Sequence, residues 1–214
     1  MTTPTEVFLY VPNLIGYVRI VLAIVSFYHM PTDPWWALGC YFVSGLLDAL
    51  DGHAARILGQ CSRLGAMLDQ LTDRCATLAL CMALCLFYPK WMLALQLYAV
   101  VDVASHWLHL HSHDLVGSST HKQSDNPVLK LYYTSRPFLF LMCAGNEAFF
   151  CALYLCHFSV GPALPGGLGL WQLLCALCLP ITAAKTVISL FHLATAAHTV
   201  ARVDADKANQ IKAQ

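Results

Sequence analysis

Residues 48–73 read DALDGHAARILGQCSRLGAMLDQLTD and carry the strongest signal in the chain. Four aspartates interrupt two otherwise apolar segments: Asp48, Asp51, Asp69 and Asp73. A carboxylate inside a membrane span costs roughly 2.5–3.5 kcal/mol on insertion scales, so four of them need positive charge nearby. Three arginines lie close in sequence: Arg56, Arg63 and Arg74. Two divalent metal ions would balance the remaining charge, and hard oxygen ligands favour Mg²⁺ or Mn²⁺.

The composition indicates lipid as the solvent. Of 214 residues, 58% are hydrophobic and only 11% are charged, whereas a soluble domain has about 25% charged residues. The net charge of +0 gives no indication of a nucleic-acid partner. The N-terminus lacks the basic region of a secretory signal. Most of the ten cysteines fall in apolar segments, where cysteine acts as a small hydrophobic residue.

The apolar segments predict an all-α integral membrane protein with six transmembrane helices. We expect residues 1–201 to form one catalytic domain and residues 202–214 a polar tail. The expected helices have the approximate bounds Val7–Met30, Trp35–Leu58, Ser62–Tyr88, Trp91–His111, Pro137–His157 and Leu170–Val200. A polar stretch, 112–132, and a Gly/Pro-rich loop, 161–169, separate the last three helices.

Loop charges predict the orientation. An even number of spans puts both termini on one side of the membrane, which then receives eight of the loop cations: Arg56, Arg63, Lys122, Lys130, Arg136, Arg202, Lys207 and Lys212. The opposite loops have only Lys90. By the positive-inside rule, both termini and the aspartate-flanked loop face the cytosol.

The aspartate spacing predicts one cluster. Asp48 and Asp51 share a helical face, as do Asp69 and Asp73. A tight turn near Gln60 makes the two helices antiparallel, and the two aspartate pairs lie at nearly equal distances from that turn. We therefore expect all four carboxylates at one depth, about 14–19 Å from the turn at 1.5 Å per residue.

The residues around the cluster indicate phosphoryl transfer. Gly52 and Gly65 leave room for a ligand beside the backbone, and Arg56 lies one turn after Asp51, where its guanidinium can bind a phosphate. Two metal ions would stabilise the attacking and leaving oxygens. The alternatives are a structural carboxylate–arginine network and a divalent-metal transporter, but transporters place such groups near the midplane of repeated or broken helices.

Eight fixed positions match the pattern D-x2-D-G-x2-A-R-x8-G-x3-D-x3-D: Asp48, Asp51, Gly52, Ala55, Arg56, Gly65, Asp69 and Asp73. The pattern resembles the signature of the CDP-alcohol phosphotransferases, integral-membrane enzymes with six-helix cores. Within the family, four strings are most similar to those of members that use inositol as the acceptor: VPNLIGY from Val11, DGHAAR from Asp51, DVASHWLHLHS from Asp102 and NPVLKLYYTSRP from Asn126.

The resemblance implies a role for each matching residue. The four aspartates would hold two Mg²⁺ or Mn²⁺ ions, and Asp73 would accept the proton of an inositol hydroxyl that displaces CMP. Contacts to CDP-diacylglycerol would come from the remaining signature residues and their neighbours: Asn13, Gly52, Ala55, Arg56, Ser62 and Gly65. The resemblance also implies an endoplasmic reticulum membrane location, with a homodimer as the candidate assembly. Glycerol phosphate, serine or choline is the alternative acceptor.

Other polar residues give weaker indications of a functional role. Arg136, just before the fifth helix, is our candidate contact for inositol, and Lys185 is a second cation within a span. The histidines between His106 and His113 lack a carboxylate or cysteine partner at zinc-site spacing, so they predict a polar pocket lining. Cys175 and Cys178 lack the second pair that a zinc finger requires.

Overall fold

A computed structural model describes residues 2–116, 135–164 and 166–212 of the chain. Its helices are α1 (Pro4–Phe8), α2 (Val11–His29), α3 (Pro34–Ile57), α4 (Arg63–Phe87), α5 (Met92–Val116), α6 (Arg136–Phe158) and α7 (Leu170–Lys212), with a 3-10 turn at Pro89–Trp91. No strand occurs in these ranges, which confirms the all-α class.

Six of the helices are long, and four of these are apolar enough to cross a membrane: Val11–His29, Arg63–Phe87, Pro137–Phe158 and Leu170–Lys212. The α2 helix exposes Val18, Val21 and Ile24, each more than half accessible. Apolar side chains exposed on long helices match a lipid solvent. The described helices therefore indicate a multi-pass membrane protein, while the count of six spans stays a prediction.

Three helix boundaries differ from those expected. The first helix breaks into α1 and α2, because a continuous helix would drive the Pro12 ring against the Phe8 carbonyl. The α5 helix continues beyond His111 to Val116. The α7 helix extends past Val200 to Lys212, since the polar residues there are mostly good helix formers without glycine or proline.

The chain divides into two compact units, Met1–Met92 and Leu93–Gln214. In the first unit, α2 packs against both α3 and α4. The Ser44 hydroxyl on α3 donates to the Arg19 carbonyl at 3.1 Å, and the Ser26 hydroxyl on α2 donates to the Ala37 carbonyl at 2.8 Å. These bonds hold α2 and α3 in register.

The turn between α3 and α4 has the geometry that its sequence predicts. Gly59 follows α3 with a φ of 63°, a conformation in which a residue with a side chain would be strained. The Ser62 hydroxyl caps α4 by accepting from the Gly65 amide at 3.0 Å. This short connection makes the two helices antiparallel and brings their aspartates together.

In the second unit, α6 packs against α7. Met142 and Ile188 form the centre of this contact, and Gly145 allows the Ile181 side chain to approach the α6 backbone. On α5, the Tyr98 hydroxyl exchanges hydrogen bonds with the Asn146 side chain of α6 at 2.8 and 3.1 Å. This polar pair joins α5 to α6.

Candidate active site

The four aspartates converge on the side chain of Arg19. One guanidinium nitrogen, Nη1, lies 2.8 Å from an oxygen of Asp48, 2.7 Å from Asp51 and 2.8 Å from Asp69. The other, Nη2, lies 2.7 Å from Asp73. The geometry confirms that the two aspartate pairs share one depth.

Arg19 is the residue that the sequence argument missed. It comes from α2, far from the aspartates in sequence, and its side chain is only 1% accessible. Two arginines near the aspartates in sequence are less closely associated with the cluster. Arg74 lies 3.7 Å from Asp73, and Arg63 is exposed. An arginine in the middle of an apolar helix was the available signal, because such a cation usually faces a partner or a cavity.

Arg19 approaches the carboxylates from the protein interior and leaves them open on the other side. The side chains of Asp48, Asp69 and Asp73 are 42%, 46% and 40% accessible, whereas that of Asp51 is 11% accessible. Three of the four carboxylate side chains are therefore accessible to a ligand, whereas Arg19 contacts the cluster from the interior.

The cluster has the donor set of a divalent-metal site. Asp48, Asp51 and Asp69 each offer one carboxylate oxygen, and these oxygens lie within 4.8 Å of one another. Hard anionic oxygens at this spacing suit Mg²⁺ or Mn²⁺. In the described part of the chain, this is the one group of carboxylate, histidine or cysteine side chains with such geometry.

A pocket of about 190 Å³ adjoins the cluster. Asp51 and Asp69 line it, whereas Asp48 and Asp73 do not. All six residues expected to contact the nucleotide lipid also line it: Asn13, Gly52, Ala55, Arg56, Ser62 and Gly65. The pocket thus brings together residues from α2, α3, α4 and the turn between α3 and α4.

Asn13 presents an unused hydrogen-bond acceptor next to this pocket. Its side chain is 1% accessible, and its amide nitrogen donates to the Val7 carbonyl at 2.6 Å. Its Oδ1 atom has no hydrogen-bond partner among the described residues. A buried acceptor without a donor costs about 1–3 kcal/mol, so a donor on a bound ligand would remove that cost.

Gly65 allows Asn13 to occupy this position. A Cβ atom on Gly65 would lie 2.8 Å from the Asn13 Oδ1 and 3.2 Å from the Ser62 hydroxyl. Gln60 adds a further contact, since its side-chain oxygen accepts from the Val11 amide at 2.9 Å. The turn between α3 and α4 is thereby tied to the start of α2, where the pocket begins.

The second unit has a buried polar face on α5 and another on α7. Asp102 and Ser105 on α5, and Lys185 and Ser189 on α7, are each at most 5% accessible. The rings of His109 and His192 stack with centroids 5.5 Å apart. Residues 117–134 and the side chain of Arg136 lie outside the described part of the chain, and so do Lys122 and Lys130.

The cysteines form no disulfide in the described structure. The Cys156 and Cys175 sulfurs lie 4.0 Å apart, a weak hydrogen-bond contact. Cys178 is buried as a small apolar residue.

The chain matches a family model. Residues 9–145 match the model described as CDP-alcohol phosphatidyltransferase. Proteins called CDP-diacylglycerol–inositol 3-phosphatidyltransferase from Rattus norvegicus and Homo sapiens are each 57% identical over 203 residues, covering 94% of this chain and 95% of theirs. The protein of that name from Saccharomyces cerevisiae is 39% identical over 211 residues, covering 97% and 93%. No solved structure gives a significant match. With the family model matching more than half of the chain, these relatives well above 30% identical and six of the eight signature residues lining one pocket, this chain belongs to the CDP-alcohol phosphatidyltransferase family.

Proposed function

We propose that this protein transfers the phosphatidyl group of CDP-diacylglycerol to myo-inositol, forming phosphatidylinositol and CMP. The observation that carries the proposal is the 57% identity, over nearly the full length of both chains, to proteins named for this reaction. The carboxylate cluster and the adjoining pocket support it, because they supply the metal ligands and the phosphate contact that the reaction requires.

The pocket residues would bind the CDP part of the donor. Arg56 would pair with a phosphate through its planar guanidinium. Gly52 and Ala55 would let the substrate approach the α3 backbone, and Gly65 makes room for the Asn13 side chain at the pocket. The Asn13 Oδ1, buried and without a donor among the described residues, would accept from an amino or hydroxyl group of the nucleotide. Ser62 would contact the donor at the start of α4.

Asp48, Asp51, Asp69 and Asp73 would hold the two divalent ions. When bound, Mg²⁺ or Mn²⁺ supplies charge stabilisation at the attacking and leaving oxygens of the phosphoryl group. Arg19 contributes one further positive charge behind the carboxylates. Asp73 would orient the inositol hydroxyl as a hydrogen-bond acceptor and take its proton as the oxygen attacks the β-phosphorus. The bond from that phosphorus to the CMP oxygen breaks, and CMP leaves with the electron pair.

Inositol is neutral and rich in hydroxyls, so hydrogen-bonding groups would bind it. Arg136 is the candidate contact. The buried polar faces of α5 and α7, with Asp102, Lys185 and His192, support a pocket that offers both donors and acceptors. A phosphorylated acceptor such as glycerol phosphate would instead require several positively charged side chains close together.

The same proposal places all six long helices across the endoplasmic reticulum membrane. The α3 helix has 24 residues and α5 has 25, or about 36 Å at 1.5 Å per residue, against a hydrocarbon core of about 30 Å. The loop cations support cytosolic termini and a cytosolic active site. Residues 1–201 would form the catalytic domain and residues 202–214 the polar tail, with a homodimer as the candidate assembly.

A direct test is CMP release by the purified protein with CDP-diacylglycerol and a panel of acceptor alcohols. We expect myo-inositol to support rapid CMP release, whereas serine, choline and glycerol 3-phosphate should not. Faster release with one of the other alcohols would overturn the acceptor assignment and leave the donor assignment intact. No CMP release with any acceptor would overturn the proposed reaction.

A further inference from the structure

A single arginine, Arg19, contacts all four aspartates of the cluster. A surface ion pair joins one cation to one carboxylate and stabilises a protein by at most about 1 kcal/mol. Here one guanidinium contacts four carboxylates at 2.7–2.8 Å while its side chain is 1% accessible. Without that positive charge, the four carboxylates would repel one another within α3 and α4 and across the contact between these two helices.

The α2 backbone at and near Arg19 is also in contact with α3 and α4. The Ser44 hydroxyl donates to the Arg19 carbonyl at 3.1 Å. One turn earlier on α2, Gly16 lets the Leu68 side chain of α4 pack so closely that a Cβ on Gly16 would lie 2.7 Å from it. These contacts present the guanidinium to both aspartate-bearing helices, so its position is built into the packing.

From these contacts we propose that Arg19 is a positioning residue that acts as the counter-ion of the aspartate cluster when no metal is bound. It contacts all four carboxylates and offsets their mutual repulsion. Because it contributes positive charge to the same carboxylates, it also weakens their attraction for a divalent cation. Arg19 and the metal ions are therefore negatively coupled: each stabilises the cluster, and each reduces what the other adds.

The proposal rests on the metal site of the proposed function and makes two linked predictions for Arg19→Gln. In EDTA, the variant should unfold at a lower temperature than the wild type, because its carboxylates are unbalanced. With saturating Mn²⁺, the difference in Tm should shrink, because the metal takes over the neutralising role. By linkage, metal that stabilises the variant more must also bind it more tightly. We expect Mn²⁺ to bind the variant roughly 5–150-fold more tightly, the range of ordinary site–site coupling.

The experiment measures thermal unfolding in detergent with EDTA or Mn²⁺, and the dissociation constant for Mn²⁺ from the electron paramagnetic resonance signal of free Mn²⁺. Neither measurement depends on activity. Arg63→Gln is the matched control, because it removes an exposed arginine at the start of α4. It should leave the Mn²⁺ affinity and the metal dependence of Tm unchanged.

The outcomes separate the two proposals. If wild-type protein binds no Mn²⁺, the metal site of the proposed function fails. If wild-type protein binds Mn²⁺ but Arg19→Gln has unchanged or weaker affinity and an equal loss of Tm with and without metal, Arg19 is only a structural anchor. Should Arg19→Gln not fold in EDTA, it is prepared with saturating Mn²⁺, which should restore a folded protein because the metal neutralises the carboxylates. Failure of Arg19→Gln to fold with Mn²⁺ as well would overturn the proposal. Arg19→Lys keeps the positive charge, so its Mn²⁺ affinity should stay close to that of the wild type, and markedly tighter binding by Arg19→Lys would overturn the proposal.

Discussion

The Nη1 atom of Arg19 donates to the Asp51 carboxylate at 2.7 Å, joining residues 32 positions apart in sequence. Asp51 is the least accessible of the four aspartates, at 11%. The pair lies on the interior side of the cluster, and the outer aspartates extend from it toward the accessible side. The α2 helix contains no aspartate of its own, but through Arg19 it contributes the positive charge that faces the aspartates of α3 and α4.

Arg19 changes the charge balance of the aspartate cluster. Four carboxylates and one guanidinium have a formal charge of −4 + 1 = −3. Two bound divalent cations would bring the total to +1. A net positive site suits a pyrophosphate substrate, because electrostatic stabilisation of developing negative charge is commonly the largest catalytic contribution.

We expect Asp69→Asn to abolish transferase activity while leaving the protein inserted in the membrane. Asp69 offers an oxygen to the candidate metal site and lines the pocket. Removing one transition-state stabiliser commonly lowers the rate by about 10²–10³-fold, and loss of a metal ligand should cost at least that. The measurement is CMP release across a Mn²⁺ titration, with the exposed Asp204→Asn as the control. Near-normal turnover of Asp69→Asn at saturating Mn²⁺ would contradict the role of Asp69.

The local pattern of the sequence was enough to predict the aspartate cluster. The helical spacing and the turn at Gly59 both depend on residues close together in the chain, so Asp48, Asp51, Asp69 and Asp73 were expected at one depth, as the structure confirms. The contact of Arg19 with them depends on how α2 packs against α3 and α4, which no local pattern specifies. The α7 helix continues past its expected end at Val200 because residues 201–212 contain no glycine or proline and are mostly good helix formers, and polarity alone does not end a helix.

Arg56→Lys should be nearly as damaging as Arg56→Ala. Arg56 lines the pocket beside Gly52, where a planar guanidinium can form two parallel hydrogen bonds to a phosphate and an ammonium cannot. We expect both variants to raise the KM for CDP-diacylglycerol and to lower kcat. Arg63→Lys, an exposed position, serves as the control. A lysine variant with near-wild-type kcat and KM would remove Arg56 from the phosphate site.

Gly65→Ala should weaken donor binding specifically. The new methyl group would lie 2.8 Å from the Asn13 Oδ1, and overpacking of this kind costs about 1–3 kcal/mol. Since Asn13 is buried at the pocket, we expect a higher KM for CDP-diacylglycerol and little change for inositol.

Gly45→Ala provides a matched control for that substitution. Gly45 lies on α3, and a methyl group added there would meet no neighbouring group of the described residues within 4 Å. The change should therefore preserve both KM values. Equal effects of the two substitutions on donor KM would show that the contact between Gly65 and Asn13 does not shape the pocket.

The C-terminus should face the cytosol. Eight cations in the loops and helix ends of the expected cytosolic side, against one on the other, are the basis of this expectation. An epitope placed after Gln214 should be accessible to antibody in intact microsomes of endoplasmic reticulum. Accessibility only after the microsomes are permeabilised would invert the topology, and the side from which the substrates enter would be inverted with it.

Arg136→Ala should raise the KM for myo-inositol more than the KM for CDP-diacylglycerol. Arg136 begins α6, in the unit whose α5 and α7 helices have buried polar faces. A site built on hydrogen bonds to hydroxyls discriminates strongly, because an acceptor with a misplaced hydroxyl leaves buried groups unpaired. Inositol isomers should therefore be poor substrates for the wild type. Arg202→Ala, at an exposed position near the end of α7, should leave both KM values unchanged. If Arg136→Ala raises the donor KM more than the inositol KM, Arg136 acts in the donor site and the acceptor is held by other groups.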